Sequence, residues 1–305
     1  MRTVPLGTTT APTLILGLMR IVDKTDAEIR TLVDTALDSG ITMFDHADIY
    51  GTDHGCESRF GDVVRFTPSE RERVLIQSKA GIVPAAGMYD SSAEHLISSA
   101  EASLRALRID HLDVFLVHRP DALVEPDEVA RAFDHLESSG KVRAFGVSNH
   151  TPRQIDLLRA SVRQPLVVNQ LQYSLLHAPI VAQGIAANTY DAQATVVDGG
   201  GVVEYCRIEG ITIQTWGPFQ GPDGVFLGAP AYAELNAVIS RLAAEYDVSA
   251  TALVTAWTTR HPAGMQVVLG STSPARIREA VPGADLPLTR AHWYELFRAA
   301  GHRLP

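Results

Sequence analysis

The chain has 305 residues, 46% hydrophobic and 20% charged, an ordinary balance for a folded domain. A formal charge of −9 argues against a basic face for nucleic acid or an acidic membrane surface. Only Cys56 and Cys206 are present, outside any CxxC spacing, so neither a disulfide framework nor a zinc knuckle is expected, and the reducing cytoplasm fits.

Eight short apolar runs punctuate the chain: Thr13–Met19, Ile41–Asp45, Arg73–Lys79, Leu112–His118, Ala144–Asn149, Leu166–Gln170, Ile211–Trp216 and Gln266–Gly270. Each reads as a parallel strand covered on both faces, and the stretches between carry helical periodicity. The first run is ended by Arg20 with no cleavage site after it, and no run is long enough to span a bilayer. Thr25 with Glu28 forms a capping box before a helix that Gly40 stops, and Ser91 with Glu94 repeats the device. Glu125 and Pro126 open a helix that Gly140 closes, and Thr151, Pro152 and Gln154 start another. Eight βα units without a Pro, Gly or Ser linker predict one domain over residues 1–305, a closed (β/α)8 TIM barrel, whose usual length is about 250 residues before insertions. Residues 179–201 stand out as a long insertion after the sixth strand. Connections in such folds run about 2 to 6 residues, so a lid bordering the active site is one reading, with Asn188, Tyr190 and Asp191 as contacts, and an excursion away from it is the other.

Four titratable residues fall at one edge of this sheet. Asp45 ends the second run, Tyr50 follows it, Lys79 ends the third and His118 the fourth. The carboxyl ends of barrel strands are where catalytic groups are displayed. Taken singly, each has a plainer reading: a capping Asp, a packed Tyr, a solvated Lys, a satisfied core His. Together on consecutive strands they describe a site that gives a proton to a developing oxyanion. Tyr50 can be the donor, and Lys79 is expected to draw the phenol down from its usual pKa near 10. Asp45 is expected to orient the ammonium, and His118 to steer the oxygen.

These residues, in FDHADIYG and LDVFLVHRPD, together with KVRAFGVSNH, VVNQLQYS, QTWGPFQG and GSTSPARIRE, resemble the landmarks of the aldo-keto reductases. The resemblance covers the whole chain. It implies NAD(P)H-dependent reduction of a small-molecule aldehyde or ketone, or the reverse, with Tyr50, Lys79, Asp45 and His118 as the catalytic tetrad. It implies further that Ser148, Asn149 and Gln170 hold the nicotinamide carboxamide, that Trp216 stacks on the nicotinamide ring, and that the loop with Gly217, Phe219 and Gly221 folds over the pyrophosphate. Arg276, with Ser271 beside it, matches the residue that holds the 2′-phosphate of NADP. Basic Arg276 and Arg278 near a helix start also make physical sense beside an anion. NADP(H) is the expected cofactor, and Gly270 in place of a common lysine and Ala280 in place of a common asparagine weaken the preference so that NAD(H) is also accommodated. Trp257 and Trp293 lie in helical patterns and read as packing residues.

The absence of GxGxxG after the first strand and of GxxxxGK[ST] speaks against Rossmann and P-loop modes. Two rival readings remain. A metal-dependent barrel hydrolase would use His46 and Asp48 with His54 or His118, whereas the reductase needs no metal. A non-catalytic NADP(H)-sensing subunit would share the fold. Met19, Tyr89, Arg119, His150 and Phe219 flank the tetrad or adjoin the rim and are the expected substrate contacts.

Overall fold

The computed structural model describes residues 1–187, 189, 192–194 and 200–304. Eight parallel strands close into a barrel: β1 (Leu14–Gly17), β2 (Met43–Asp45), β3 (Leu75–Ala80), β4 (Val114–Val117), β5 (Phe145–Ser148), β6 (Leu166–Gln172), β7 (Thr212–Trp216) and β8 (Gln266–Leu269). They follow one another around the barrel in chain order, and β8 pairs with β1 through Val267↔Leu14. Every strand is buried on both faces, because helices cover the outside and side chains fill the inside.

Alternation along each strand decides what enters the barrel. On β2, Met43 and Asp45 point inward while Phe44 packs outward against Phe60 and Phe66 at 5.5 and 5.9 Å. On β3 the same rule places Gln77 two residues below Lys79 on the inner face. The lower barrel is filled by Ile15, Met43, Val114, Leu116, Val168 and Val268. An N-terminal hairpin, Thr3–Leu6 with Thr9–Pro12, plugs its floor through Leu6 and Ala11, and Thr212 at the foot of β7 donates to the Pro5 carbonyl at 2.6 Å. The sequence reading did not find this hairpin.

Between the strands run the covering helices, among them Asp26–Asp38, Ala93–Leu107, Pro126–Ser138, Pro152–Arg159, Val202–Glu209 and Ala250–Thr259. Thr25 with Glu28 and Thr151 with Gln154 form both halves of their capping boxes. At Ala93–Leu107 the cap is Ser92, not Ser91: Ser92 is extended and its hydroxyl accepts from the His95 amide, while Ser91 is turned inward and gives its own amide to Asp121 at 3.0 Å. Trp257 and Trp293 pack as expected, stacked at 5.2 Å with each indole donating to the other's carbonyl. No described helix is long and apolar enough to cross a membrane.

Of the segment 179–201, residues 179–187, 189, 192–194 and 200–201 are described. It begins as a helix, Pro179–Ile185, whose Ile180 and Ala182 are buried. Val181, Gly184 and Ile185 line a cleft of about 400 Å³ with Val203, His261, Pro262 and Trp293. His261 and Pro262 lead into the foot of β8, so this part of the segment descends the outside of the barrel, away from the tetrad. Asn188, Tyr190 and Asp191, expected as lid contacts, lie outside the described residues.

Candidate active site

The upper end of the barrel gathers the four residues expected there. The Lys79 ammonium lies 2.8 Å from both Asp45 carboxylate oxygens and donates to the His46 carbonyl at 2.6 Å and to the Tyr50 hydroxyl at 3.3 Å. The ammonium also sits 4.9 Å from the centre of the Tyr50 ring. His118 meets Tyr50 edge-on with ring centres 6.0 Å apart, and its Nδ1 is buried without a hydrogen-bond partner. Lys79 and Asp45 are fully buried, whereas Tyr50 is half-buried and open to the rim.

Electrostatics sort the four into roles. Burial works against the Lys79 ammonium, but the Asp45 charge and Tyr50 outweigh it, and the amine is held above its ordinary range. Burial, with Lys79 and Arg119 nearby, drives His118 well below its usual pKa, so the imidazole is neutral at pH 7. Tyr50 departs from the expectation. Burial and the Asp45 and Asp48 charges raise its pKa further than Lys79 lowers it, so the phenol keeps its proton.

Tyr50 is delivered by a left-handed turn that the sequence did not signal. Gly51, Thr52, Asp53 and His54 have φ of 70°, 63°, 43° and 60°. A side chain at Gly51 would also meet Cys56 Sγ and Val22 Cβ at 2.9 Å. Three non-glycine residues in this region cost about 1–2 kcal/mol each, and local bonds offset that cost. The His54 amide donates to the Asp48 carbonyl at 2.6 Å and the Cys56 amide to the Tyr50 carbonyl at 2.9 Å. The His54 imidazole pairs with buried Glu57, whose other oxygen accepts from Ser78 beside Lys79.

The later strands supply a polar shelf beside this group. Ser148 Oγ donates to the Gln170 carbonyl at 2.8 Å and accepts from Asn149 Nδ2 at 2.8 Å. Asn149, itself left-handed at φ 62°, donates to the His118 carbonyl at 3.3 Å and accepts from the Trp216 indole at 3.0 Å. This fixes the plane of a half-buried ring at the rim. Gln170 Nε2 points to Asp45 Oδ1 at 2.9 Å. The glycine-rich stretch after Trp216 is a small hairpin, Gln220–Gly221 with Gly224–Val225, tied down by Ser174 on the Gln220 carbonyl at 2.7 Å. Gly217 takes φ 65° at its entrance, and Phe219 is half-buried next to it.

Past β8, Ser271 accepts from the Ser273 amide at 3.2 Å, and Arg276 is exposed and makes no ion pair among the described residues. Arg278 is directed elsewhere, to Thr35 Oγ1 at 3.2 Å. A cation that the sequence reading missed stands at Gly270: Arg20 Nη1 donates to its carbonyl at 2.9 Å, and a Cβ there would meet that nitrogen at 3.0 Å.

Of the expected substrate contacts, Met19 and Tyr89 are exposed at the rim, and the Arg119 guanidinium lies 5.9 Å from the Trp216 ring. His150 is instead buried, its Nδ1 on the Ser148 carbonyl at 2.9 Å, and burial drops its pKa to about 4. His46 and Asp48 do not converge as metal ligands. His46 packs edge-on to Phe60 at 4.8 Å with both nitrogens unpartnered, and burial lowers it to about 4. Burial and the Glu57 charge raise Asp48 to about 7. Among the described residues no group of three His, Cys, Asp or Glu could hold a metal.

The Aldo/keto reductase family profile matches residues 13–299. The chain belongs to this family. Among its relatives, the 6-dehydroglucose reductase of Agrobacterium fabrum is 35% identical over 298 residues, covering 94% of this chain and 93% of that protein. The oxidoreductase YdhF of Escherichia coli is 36% identical over 301 residues, covering 95% and 94%. The fold is shared with a thermostable aldo-keto reductase, Tm1743, solved with the inhibitor epalrestat, at a TM-score of 0.77 and 22% identity over 98% of this chain and all of that one. This aldo-keto reductase therefore carries out oxidoreductase chemistry on a small-molecule carbonyl.

Proposed function

We propose that the protein reduces an aldehyde or ketone to the alcohol with NADPH. The observation that carries this reading is the Lys79 ammonium held between Asp45 and the Tyr50 hydroxyl at 2.8 and 3.3 Å, with neutral His118 against the same ring. The residues fit a nicotinamide dinucleotide: a half-buried indole beside the tetrad, an ordered glycine-rich hairpin, and Arg20 and Arg276 at the exit of β8. When bound, the cofactor supplies the hydride.

The chain's own groups do the rest. A carbonyl oxygen beside Tyr50 receives the phenolic proton as charge develops on it, and the buried ammonium stabilises the phenolate left behind. His118, neutral, is available to hold the same oxygen by hydrogen bond. Lys79 holds Tyr50 by its charge, and Asp45 holds Lys79. Ser148, Asn149 and Gln170 orient the carboxamide end of the cofactor, Trp216 presents one ring face, and Gly217, Phe219 and Gly221 cover the pyrophosphate. Arg276, with Ser271 beside it, favours NADPH over NADH, and Gly270, which offers no cation where a lysine is common, makes that preference smaller.

Arg119, unpaired by any carboxylate among the described residues and lying over Trp216, suits a substrate rich in hydroxyl or anionic groups. Met19, Tyr89 and Phe219 are the other rim residues assigned to substrate. The name of the Agrobacterium relative makes sugar aldehydes the first class to try. The test is consumption of NADPH by purified protein across a panel of sugar, aliphatic and aromatic aldehydes and ketones. Turnover with at least one of them is expected; a folded protein that binds NADPH but turns over none would refute the reading and favour a nucleotide-sensing role.

A further inference from the structure

Below Asp45 the barrel interior is not uniformly apolar. Gln77 of β3, Gln170 of β6, Gln214 of β7 and Gln266 of β8 are all buried, and their amides form one connected column. Gln77 Nε2 donates to Asp45 Oδ1 at 2.6 Å and to Gln214 Oε1 at 2.9 Å. Gln170 Nε2 makes the same pair of bonds at 2.9 and 3.0 Å. Gln214 Nε2 donates back to Gln77 Oε1 at 3.1 Å and down to Gln266 Oε1 at 3.2 Å, and Gln266 Nε2 reaches the Pro12 carbonyl in the floor hairpin at 2.6 Å.

The orientation of every amide is fixed from both ends. A carboxylate paired to an ammonium only accepts, so Gln77 and Gln170 must turn N–H groups toward Asp45. The Pro12 carbonyl also only accepts, so Gln266 turns its nitrogen down and its oxygen up. Gln214 sits where the two demands meet, and all four of its hydrogen-bonding positions are used. It touches none of the tetrad.

We propose that Gln214 is a positioning residue for the proton-donating group: by locking the amides of Gln77 and Gln170 it aims two N–H dipoles at Asp45, which offset the carboxylate charge felt at Tyr50. This rests on the reading of Tyr50 as the acid. The charged and titratable groups facing Tyr50 are Asp45 of β2, Asp48 of its own loop, Lys79 of β3 and His118 at the end of β4. Of these only Asp45 is reached by the column. Loosening the column makes the field at Tyr50 more negative, so the phenol holds its proton more tightly and gives it up more slowly.

The test compares wild type with Gln214→Leu, following NADPH-dependent reduction of an accepted carbonyl against pH. The variant is expected to lose about threefold in kcat, the most that an acid weakened by half a pKa unit can cost. The alkaline limb of the profile is expected to move up by about half a pH unit. KM for the carbonyl stays within about twofold because Gln214 does not meet it, while Kd for NADPH, measured by fluorescence, weakens by no more than about threefold through the loosened Gln170. Where Gln214→Leu does not fold, Gln266→Met, which keeps the volume beside Met43, takes its place with a smaller shift in the same direction. A lowered Tm with kcat and pH limb unchanged would overturn the proposal and leave the column a packing feature. Wild-type protein that turns over no carbonyl would instead overturn the proposed function, and this inference with it.

Discussion

Lys79→Met separates what the buried ion pair does for folding from what it does for chemistry. Lys79 and Asp45 are both essentially without solvent contact, and methionine keeps the length of the side chain while removing the charge. The carboxylate would keep only the Gln77 and Gln170 amides at 2.6 and 2.9 Å. Removing one member of a buried pair costs about 3–5 kcal/mol, because the survivor is an uncompensated charge in a dry site. Urea denaturation followed by circular dichroism should show that loss at pH 7. The double variant Asp45→Asn, Lys79→Met removes the stranded charge, so it should recover at least about 2 kcal/mol relative to Lys79→Met. Neither variant should recover turnover, since Tyr50 then loses the cation that stabilises its phenolate and turnover falls by about 10²–10⁴. A single variant as stable as wild type, or a double variant no more stable than the single, would refute this account of the pair.

Other outcomes test the cofactor end and the buried titratable groups. Arg276→Ala should weaken NADPH about ten- to a hundredfold with little change for NADH, read by fluorescence titration, and equal losses for both would remove Arg276 from the 2′-phosphate. His46 is lowered to about 4 by burial, so the stability it contributes is present above pH 6.5 and lost as pH falls toward 4, an effect of about 3 kcal/mol. His46→Phe, which keeps the edge contact with Phe60, should flatten the acid side of the stability profile, and an unchanged acid midpoint would contradict it. Asp48 is raised to about 7, which has the opposite sign: its contribution is present below pH 4 and lost as pH rises to 7. Asp48→Asn should therefore be more stable than wild type at pH 8, by about 3 kcal/mol, and equally stable variants at that pH would show that the carboxyl is solvated.

Short apolar runs ending in Asp45, Lys79 and His118 made the barrel and its rim legible, because a parallel strand buried on both faces has few other sequence patterns. Tyr50 was legible by proximity, but the left-handed turn that carries it was not, since β-branched Thr52 in its middle disfavours positive φ. The direction of the Tyr50 pKa was misjudged for a related reason: the distance to Lys79 follows from topology, whereas the burial that outweighs it depends on packing from every side. The glutamines were unreadable as a group because they come from four strands that only the closed barrel brings together. Ser91 lost the cap to Ser92 because adjacent serines leave the choice to backbone conformation. Arg20 was missed because its partner, the Gly270 carbonyl, lies 250 residues away.

Tyr50 is proposed to give its proton to a carbonyl oxygen while playing no part in holding the cofactor. Single-turnover reduction by Tyr50→Phe, measured beside NADPH binding on the same preparation, tests it most directly. NADPH affinity should stay within about twofold of wild type while turnover falls by about 10²–10⁴. A variant that retains more than about a tenth of wild-type turnover, or that loses NADPH and turnover in equal measure, would contradict it.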